Sequence, residues 1–284
     1  MPVRTRPDIS KKNTMSAPSN HYAAPLLVVG CVVFGLGSLI VKFVPVGAYA
    51  IAWWRLLISG LVFWFLARRF GQKLPRSKTA LAYALLSGAA LGIDLALWHE
   101  SIYSVGPGIS TLLNSLQIFF LAAIGFFLFD ERLNKLQIFS LIMAVGGVAM
   151  IAFPEFGHNG NAVWGFVSGI ISGGMLALSM TFIRKTHQAE PTALFPMMLL
   201  VSIGGVLALL LPTLVFDWGR LYPATARDIG LVLVYGAVMQ CFAWGLIAYA
   251  IPLLSLSLTG LLLLSEPVAA LLIDCFLLGK PIAA

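Results

Sequence analysis

The sequence predicts an all-α membrane protein built as two inverted five-helix repeats, and three observations carry the prediction. The chain is 60% hydrophobic and only 10% charged, with a mean hydropathy of +0.94. A soluble domain carries roughly 25% charged residues, so water is not the solvent for most of this surface. The stretch Gly108–Lys135, GISTLLNSLQIFFLAAIGFFLFDERLNK, is echoed about 150 positions later by Leu258–Lys280, LTGLLLLSEPVAALLIDCFLLGK. Asn114-Ser115-Leu116-Gln117 falls opposite Leu264-Ser265-Glu266-Pro267. That period is far longer than a solenoid's and fits a duplicated membrane unit. Finally, five apolar runs make up the first copy, and an odd number forces the second copy to enter the membrane from the other side.

Residues 1–21 are polar and basic and read as a flexible cytoplasmic tail. The first apolar run, Tyr22–Val44, is too long for a signal-peptide core and reads as a retained helix. Further spans follow at Val46–Ala67, Thr79–Ser101, Gly108–Phe129 and Leu136–Phe153, completing a first repeat over 22–153. The second repeat, over 162–284, has Ala162–Ile183, Thr192–Leu214, Ile229–Ala250 and Leu254–Leu278. Each run matches a hydrocarbon core of ~30 Å crossed at ~1.5 Å per residue. Two sets of five demand a tenth helix, which is expected to be missing from this sequence, because Lys280-Pro281-Ile282-Ala283-Ala284 stands where helix five begins in the first copy.

The +7 net charge sits in short loops and forms no continuous stripe, so it sets orientation and is no nucleic-acid footprint. With the amino terminus cytoplasmic, inner segments hold 13 Lys and Arg, outer segments 4, and Arg55 lies within a span. The loop Pro154–Asn161 is then outside and Arg68–Lys78 inside. Cys31, Cys241 and Cys275 all lie in apolar runs without CxxC spacing, so neither a disulfide framework nor a metal site is indicated, and no cofactor is implied.

Polar side chains within spans are the informative positions, because a helix in lipid already satisfies its own backbone. Thr111, Asn114 and Gln117 recur at i, i+3, i+6 in the fourth span, a hydroxyl and amide stripe suited either to a zwitterion or to interhelical bonding. In the third span Gly92, Leu95, His99 and Tyr103 share a face. His99 and Tyr103 would reach the outer mouth of a central cavity, although Trp98 and Tyr103 also suit an interfacial belt. Gln240 and Trp244 pair at i, i+4 in the eighth span, as do Phe34 and Ser38 in the first. In the sixth, Gly165, Gly169 and Gly173 make a small-residue packing ridge, with Met175 and Ser179 beyond it. Glu266, mid-span beside Pro267, either hydrogen-bonds the ladder that the proline breaks or carries protons, and the local role is favoured because Gln117 is its counterpart. Asp94 and Asp274 either pair with Arg55 or stay near the outer interface. The interior face is expected from spans one, three, four, six, eight and nine, with five and seven peripheral.

Small residues, then Leu-Leu-x-Ser-Leu-Gln or Leu-Leu-Ser-Glu-Pro, then an apolar run closed by Asp-Glu-Arg-Leu or Gly-Lys-Pro, form an ordered set that resembles the EamA family of the drug/metabolite transporter superfamily. The resemblance runs from Tyr22 to Lys280 and implies ten helices in two inverted repeats; Gly279-Lys280 departs from the usual Gly-Glu. Its narrower form, to the YddG-type exporters of aromatic and other bulky neutral amino acids, implies outward transport of such molecules.

The expected function is secondary transport, by alternating access, of a small amphipathic metabolite, foremost an aromatic or neutral amino acid. The partners are that small-molecule substrate and membrane lipid, with no nucleic acid and a plausible monomer, in a bacterial inner (plasma) membrane. The substrate-site candidates are Phe34, Ser38, His99, Tyr103, Thr111, Asn114, Gln117, Met175, Ser179, Gln240, Trp244 and Glu266. A proton-coupled multidrug or organic-cation effluxer is the rival within the class, with Glu266 as its deep carboxylate. A membrane-embedded enzyme is the rival outside it, but the sequence has no P-loop, HExxH or GxSxG.

Overall fold

The computed structural model describes residues 22–131, 135–152 and 160–269, and within them every regular element is a helix. The first span is two pieces, α1 (Ala23–Gly35) and α2 (Gly37–Phe43), which meet at Leu36. Then come α3 (Ala48–Arg69) and α4 (Lys78–Val105). The fourth span is again divided, into α5 (Pro107–Asn114) and α6 (Gln117–Phe129), and α7 (Lys135–Ala152) follows. The second half has α8 (Ala162–Ala189) and α9 (Leu194–Phe216). Its next span runs through α10 (Ala226–Val234), a π-helical stretch Tyr235–Ala243, and α11 (Trp244–Ala250). The last described span starts with α12 (Leu256–Leu263) and resumes over 265–269 after a turn at Leu264. Among the described residues six helices are long and apolar enough to cross a membrane, beside the shorter apolar helices Ala23–Gly35 and Leu256–Ala269.

Helix ends run past the expected spans by up to six residues, because polar caps lie beyond the apolar runs. The Ser77 hydroxyl accepts from Ala80 N to start α4, and Thr225 with Asp228 forms a capping box that starts α10. Gly106, at φ 85°, lets α4 stop and Pro107 begin α5 at once. The sequence pattern gave no warning that spans one and four are broken, whereas Pro267 marks a broken ladder in the ninth. In the fourth, Leu116, Ile118 and Phe119 bond back to the third preceding carbonyl, a tightened turn centred on Ser115-Leu116. The turn at Leu264 in the second half falls at the equivalent place. The expected tenth helix and Asp274 lie outside the described residues.

Backbones approach most closely where glycines face one another. A Cβ on Gly88 would fall 1.9 Å from the Val201 carbonyl oxygen, and one on Gly204 would fall 2.1 Å from that of Leu85, so α4 and α9 cross on glycine. The ridge of α8 does the same against the fourth span: a Cβ on Gly169 would meet Leu113, and one on Gly173 would sit 2.7 Å from the Asn114 oxygen. Side chains of α7 such as Phe139, Ile142 and Met150 are exposed, so that helix is peripheral.

Carboxylates from one half cap helices of the other. Asp217, beyond α9, accepts from Tyr49 N at 2.7 Å and Ala50 N at 2.9 Å, closing the start of α3. Glu190, beyond α8, accepts from Ser77 N at 2.7 Å beside the start of α4. At that same end Glu131, aimed by the left-handed Asp130, accepts from Leu256 N and Ser257 N at the start of α12 and pairs with Arg184. Each places negative charge on the positive end of a helix dipole.

Candidate substrate site

The centre of the molecule is a charged residue from a span that was not expected to face the interior. Arg55, in the middle of α3, is 1% exposed. Its Nε donates to Gln240 Oε1 at 2.7 Å, and its Nη1 donates to the Tyr235 hydroxyl at 2.6 Å. The guanidinium lies over two rings, 4.6 Å from the centroid of Phe34 and 4.4 Å from that of Tyr235. Phe34 in turn stacks on Trp98 and tilts against Trp244. His99 bonds the Ala48 carbonyl through Nδ1 and the Tyr235 hydroxyl through Nε2, both at 2.9 Å. A carbonyl can only accept, so Nδ1 carries the proton and Nε2 accepts from tyrosine, an assignment made from the partners.

The π-helical stretch is what lets one span grip Arg55 twice. Tyr235 and Gln240 are five residues apart. On an α-helix at 3.6 residues per turn they would point about 140° apart, whereas an i→i+5 ladder brings them to the same side. Trp244 begins α11 just beyond, so three successive inward side chains come from one distorted segment.

The acidic side draws on the continuous helices α4 and α8 together with the broken fourth and ninth spans. Asp94 Oδ1 accepts from Asn114 Nδ2 at 2.9 Å and from Ser172 Oγ at 2.6 Å, joining α4, α5 and α8. It makes no ion pair with Arg55, which corrects the pairing considered from sequence: the two groups interact electrostatically, but Asn114 and Ser172 reach Asp94 first. It is also buried, not interfacial. Glu266 is buried too, and has no hydrogen bond to any described residue. Its expected local role at the helix break falls instead to Ser265, whose hydroxyl donates to the Leu262 carbonyl at 2.7 Å. Glu266 remains within electrostatic reach of Asp94, Arg55 and Cys31.

Of the residues singled out from sequence, Phe34, His99, Gln240 and Trp244 gather around Arg55, and Asn114 and Glu266 lie on the acidic side. Gln117 is buried with Oε1 unpartnered among the described residues. Thr111 bonds back to the Pro107 carbonyl, and Ser179 bonds Ser87 across α4 and α8. Tyr103 is 42% exposed with its hydroxyl on the Val46 carbonyl, as an interfacial residue would be. Met175 is half-buried, and the Ser38 side chain lies outside what is described. Arg55, Tyr235, Trp98 and Ser172 were missed. A lone arginine within an apolar run is a strong signal for the first; nothing marks Tyr235 until the π-turn is seen.

A helical bundle with charged residues buried at interrupted helices has the architecture of a membrane transporter. Residues 21–153 match the EamA-like transporter family. A relative, the "Probable amino-acid metabolite efflux pump" of Salmonella typhimurium (strain LT2), is 26% identical over 231 residues, covering 80% of this chain and 74% of its own. A solved crystal structure aligns with 92% of this chain and 88% of its own at a TM-score of 0.67 and 14% identity, a likeness of fold.

Proposed function

We propose that the protein exports small amphipathic metabolites, neutral and aromatic amino acids foremost, by alternating access between its two halves. The observation that carries this reading is the buried cluster of Arg55, Asp94 and Glu266 set among Phe34, Trp98 and Trp244, where interrupted spans of both halves meet. A zwitterion with an apolar side chain matches one cationic group, two anionic groups and aromatic walls. An organic cation fits less well, because Arg55 already occupies the ring faces of Phe34 and Tyr235 that such a ligand would use.

The cross-half caps describe the movement. Asp217 joins the halves at one end of the bundle, and Glu131 and Glu190 join them at the other. Rocking one half against the other opens the cluster to one side by releasing the caps there while those opposite hold. The basic count supports a cytoplasmic position for Glu131 and Glu190. The test is counterflow of labelled L-leucine and L-phenylalanine into liposomes holding purified protein, with and without a pH difference. Saturable exchange is expected; exchange of quaternary ammonium dyes in its place would overturn the reading.

A further inference from the structure

We propose that the groups around Arg55 form a receptor for a carboxylate, so that the transported molecule must carry one. The inference rests on the transporter reading and names the substrate class of that site. Four buried nitrogens, Arg55 Nη2, Gln240 Nε2, Trp98 Nε1 and Trp244 Nε1, have no partner among the described residues. All four are donors. They cluster round one ring: Phe34 touches Arg55, Trp98 and Trp244, and Gln240 holds Arg55. Buried donors are almost always paired, and each left alone is costly, so four together are explained by an acceptor that arrives from outside. A carboxylate is acceptor-only, with two oxygens and about four lone-pair sites, and suits a guanidinium edge above any neutral group.

The geometry also says which part of Arg55 does the binding. Gln240 holds Nε and Tyr235 holds Nη1, so the guanidinium cannot turn, and its uncommitted Nη2 is presented in a fixed direction. Among the described residues no ion pair consumes the charge. A phosphate would bring a second negative charge with no second cation among the described residues of the cluster to meet it. The aromatic walls suit an apolar body attached to the anion.

The experiment measures displacement of labelled L-leucine from the protein in nanodiscs by compounds of one skeleton. L-leucine and 4-methylpentanoate keep the carboxylate; L-leucinamide and 3-methylbutylamine lack it. The acids are expected to displace label, and the amide and amine at least tenfold less well. Competition by leucinamide within twofold of leucine overturns the carboxylate receptor and leaves amino acid export standing. Displacement by chloride at concentrations matching 4-methylpentanoate also overturns it, as a small-anion site. If no label binds saturably and liposomes show no leucine exchange, both readings fall. In Arg55→Gln the leucine-to-leucinamide ratio is expected to approach one, with folding checked by a thermal melt. Gln240→Met keeps the arginine, removes one donor, and serves if Arg55→Gln does not fold. It is expected to lower the ratio at least threefold, and an unchanged ratio overturns the proposal.

Discussion

The Tyr235 hydroxyl stands 2.6 Å from Nη1 of Arg55 and can only accept there, because a guanidinium has nothing but donors. Its own proton therefore points to His99 Nε2, and His99 passes the direction on by donating from Nδ1 to the Ala48 carbonyl. The chain of bonds runs one way from α3 through the π-helical stretch to α4 and back to the start of α3.

Tyr235→Phe removes the middle of that chain and leaves two buried polar atoms without partners. A loss of about 1–3 kcal/mol of stability is expected, the cost of an unsatisfied buried group. Denaturation in detergent, followed by tryptophan emission, measures it. Leucine affinity is expected to fall as well, since Arg55 is then held only through Gln240. A variant as stable as the wild type would show that the hydroxyl has no such role.

Glu131 supports the opposite end of the molecule. Burial pushes its carboxyl up, but the Arg184 guanidinium and the N–H groups of Leu256 and Ser257 outweigh that and hold it below the usual carboxylate range. Glu131→Gln should cost about 1–2 kcal/mol at neutral pH, as expected for a helix cap with charge on the dipole. Because the folded carboxyl is depressed, its contribution is complete above its unfolded value of about 4.3 and disappears as pH falls through the folded one. Melting curves of wild type and variant should therefore converge in acid. Divergence on acidification would contradict the assignment.

The glycine ridge offers a paired test on adjacent residues. A Cβ on Gly173 would sit 2.7 Å from the Asn114 carbonyl oxygen, whereas one on Gly174 has nothing nearer than 3.6 Å. Gly173→Ala should lose about 1–3 kcal/mol by overpacking, and Gly174→Ala should melt like the wild type. Equal behaviour of the two would mean that α8 does not press on the break between α5 and α6.

Sequence made the helices legible because apolar runs of membrane length have few other uses, and the glycine ridge because small residues four apart pack one way. It singled out Phe34, His99, Gln240 and Trp244, which the structure brings together around Arg55, since polar and aromatic groups inside spans have few places to go. It misjudged α3, which was left out of the expected interior, with Arg55 considered only as a partner for Asp94 or Asp274. The breaks at Leu36 and Ser115 and the π-turn left no mark in residue type, whereas Pro267 flagged the break at Leu264. The partner of Asp94 was equally hidden: Ser172 sits within the glycine-rich face of α8 and reads as one more small residue.

Glu266 and Gln117 each lie three residues beyond the helix that ends at a break, α12 and α5, and neither gives all its polar atoms to described neighbours: Gln117 Oε1 is buried and unpartnered among them, and the Glu266 carboxylate has no hydrogen bond to any of them. With Ser265 sealing the turn, Glu266 is free to meet the ammonium group of a substrate whose carboxylate lies on Arg55. Glu266→Gln keeps size and hydrogen-bonding capacity and removes only the charge. The variant should fold normally and bind L-leucine about tenfold more weakly, a difference of about 1.4 kcal/mol. Its affinity for 4-methylpentanoate, which lacks the amino group, should be unchanged. Transport should follow the substrate gradient in both proteins, with little response to an imposed pH difference, because an uncharged amide serves at the corresponding place in the other half. Exchange and uphill accumulation measured side by side in liposomes separate the roles: retained exchange with loss of proton-driven accumulation only in Glu266→Gln would make the residue a proton carrier and sink this assignment.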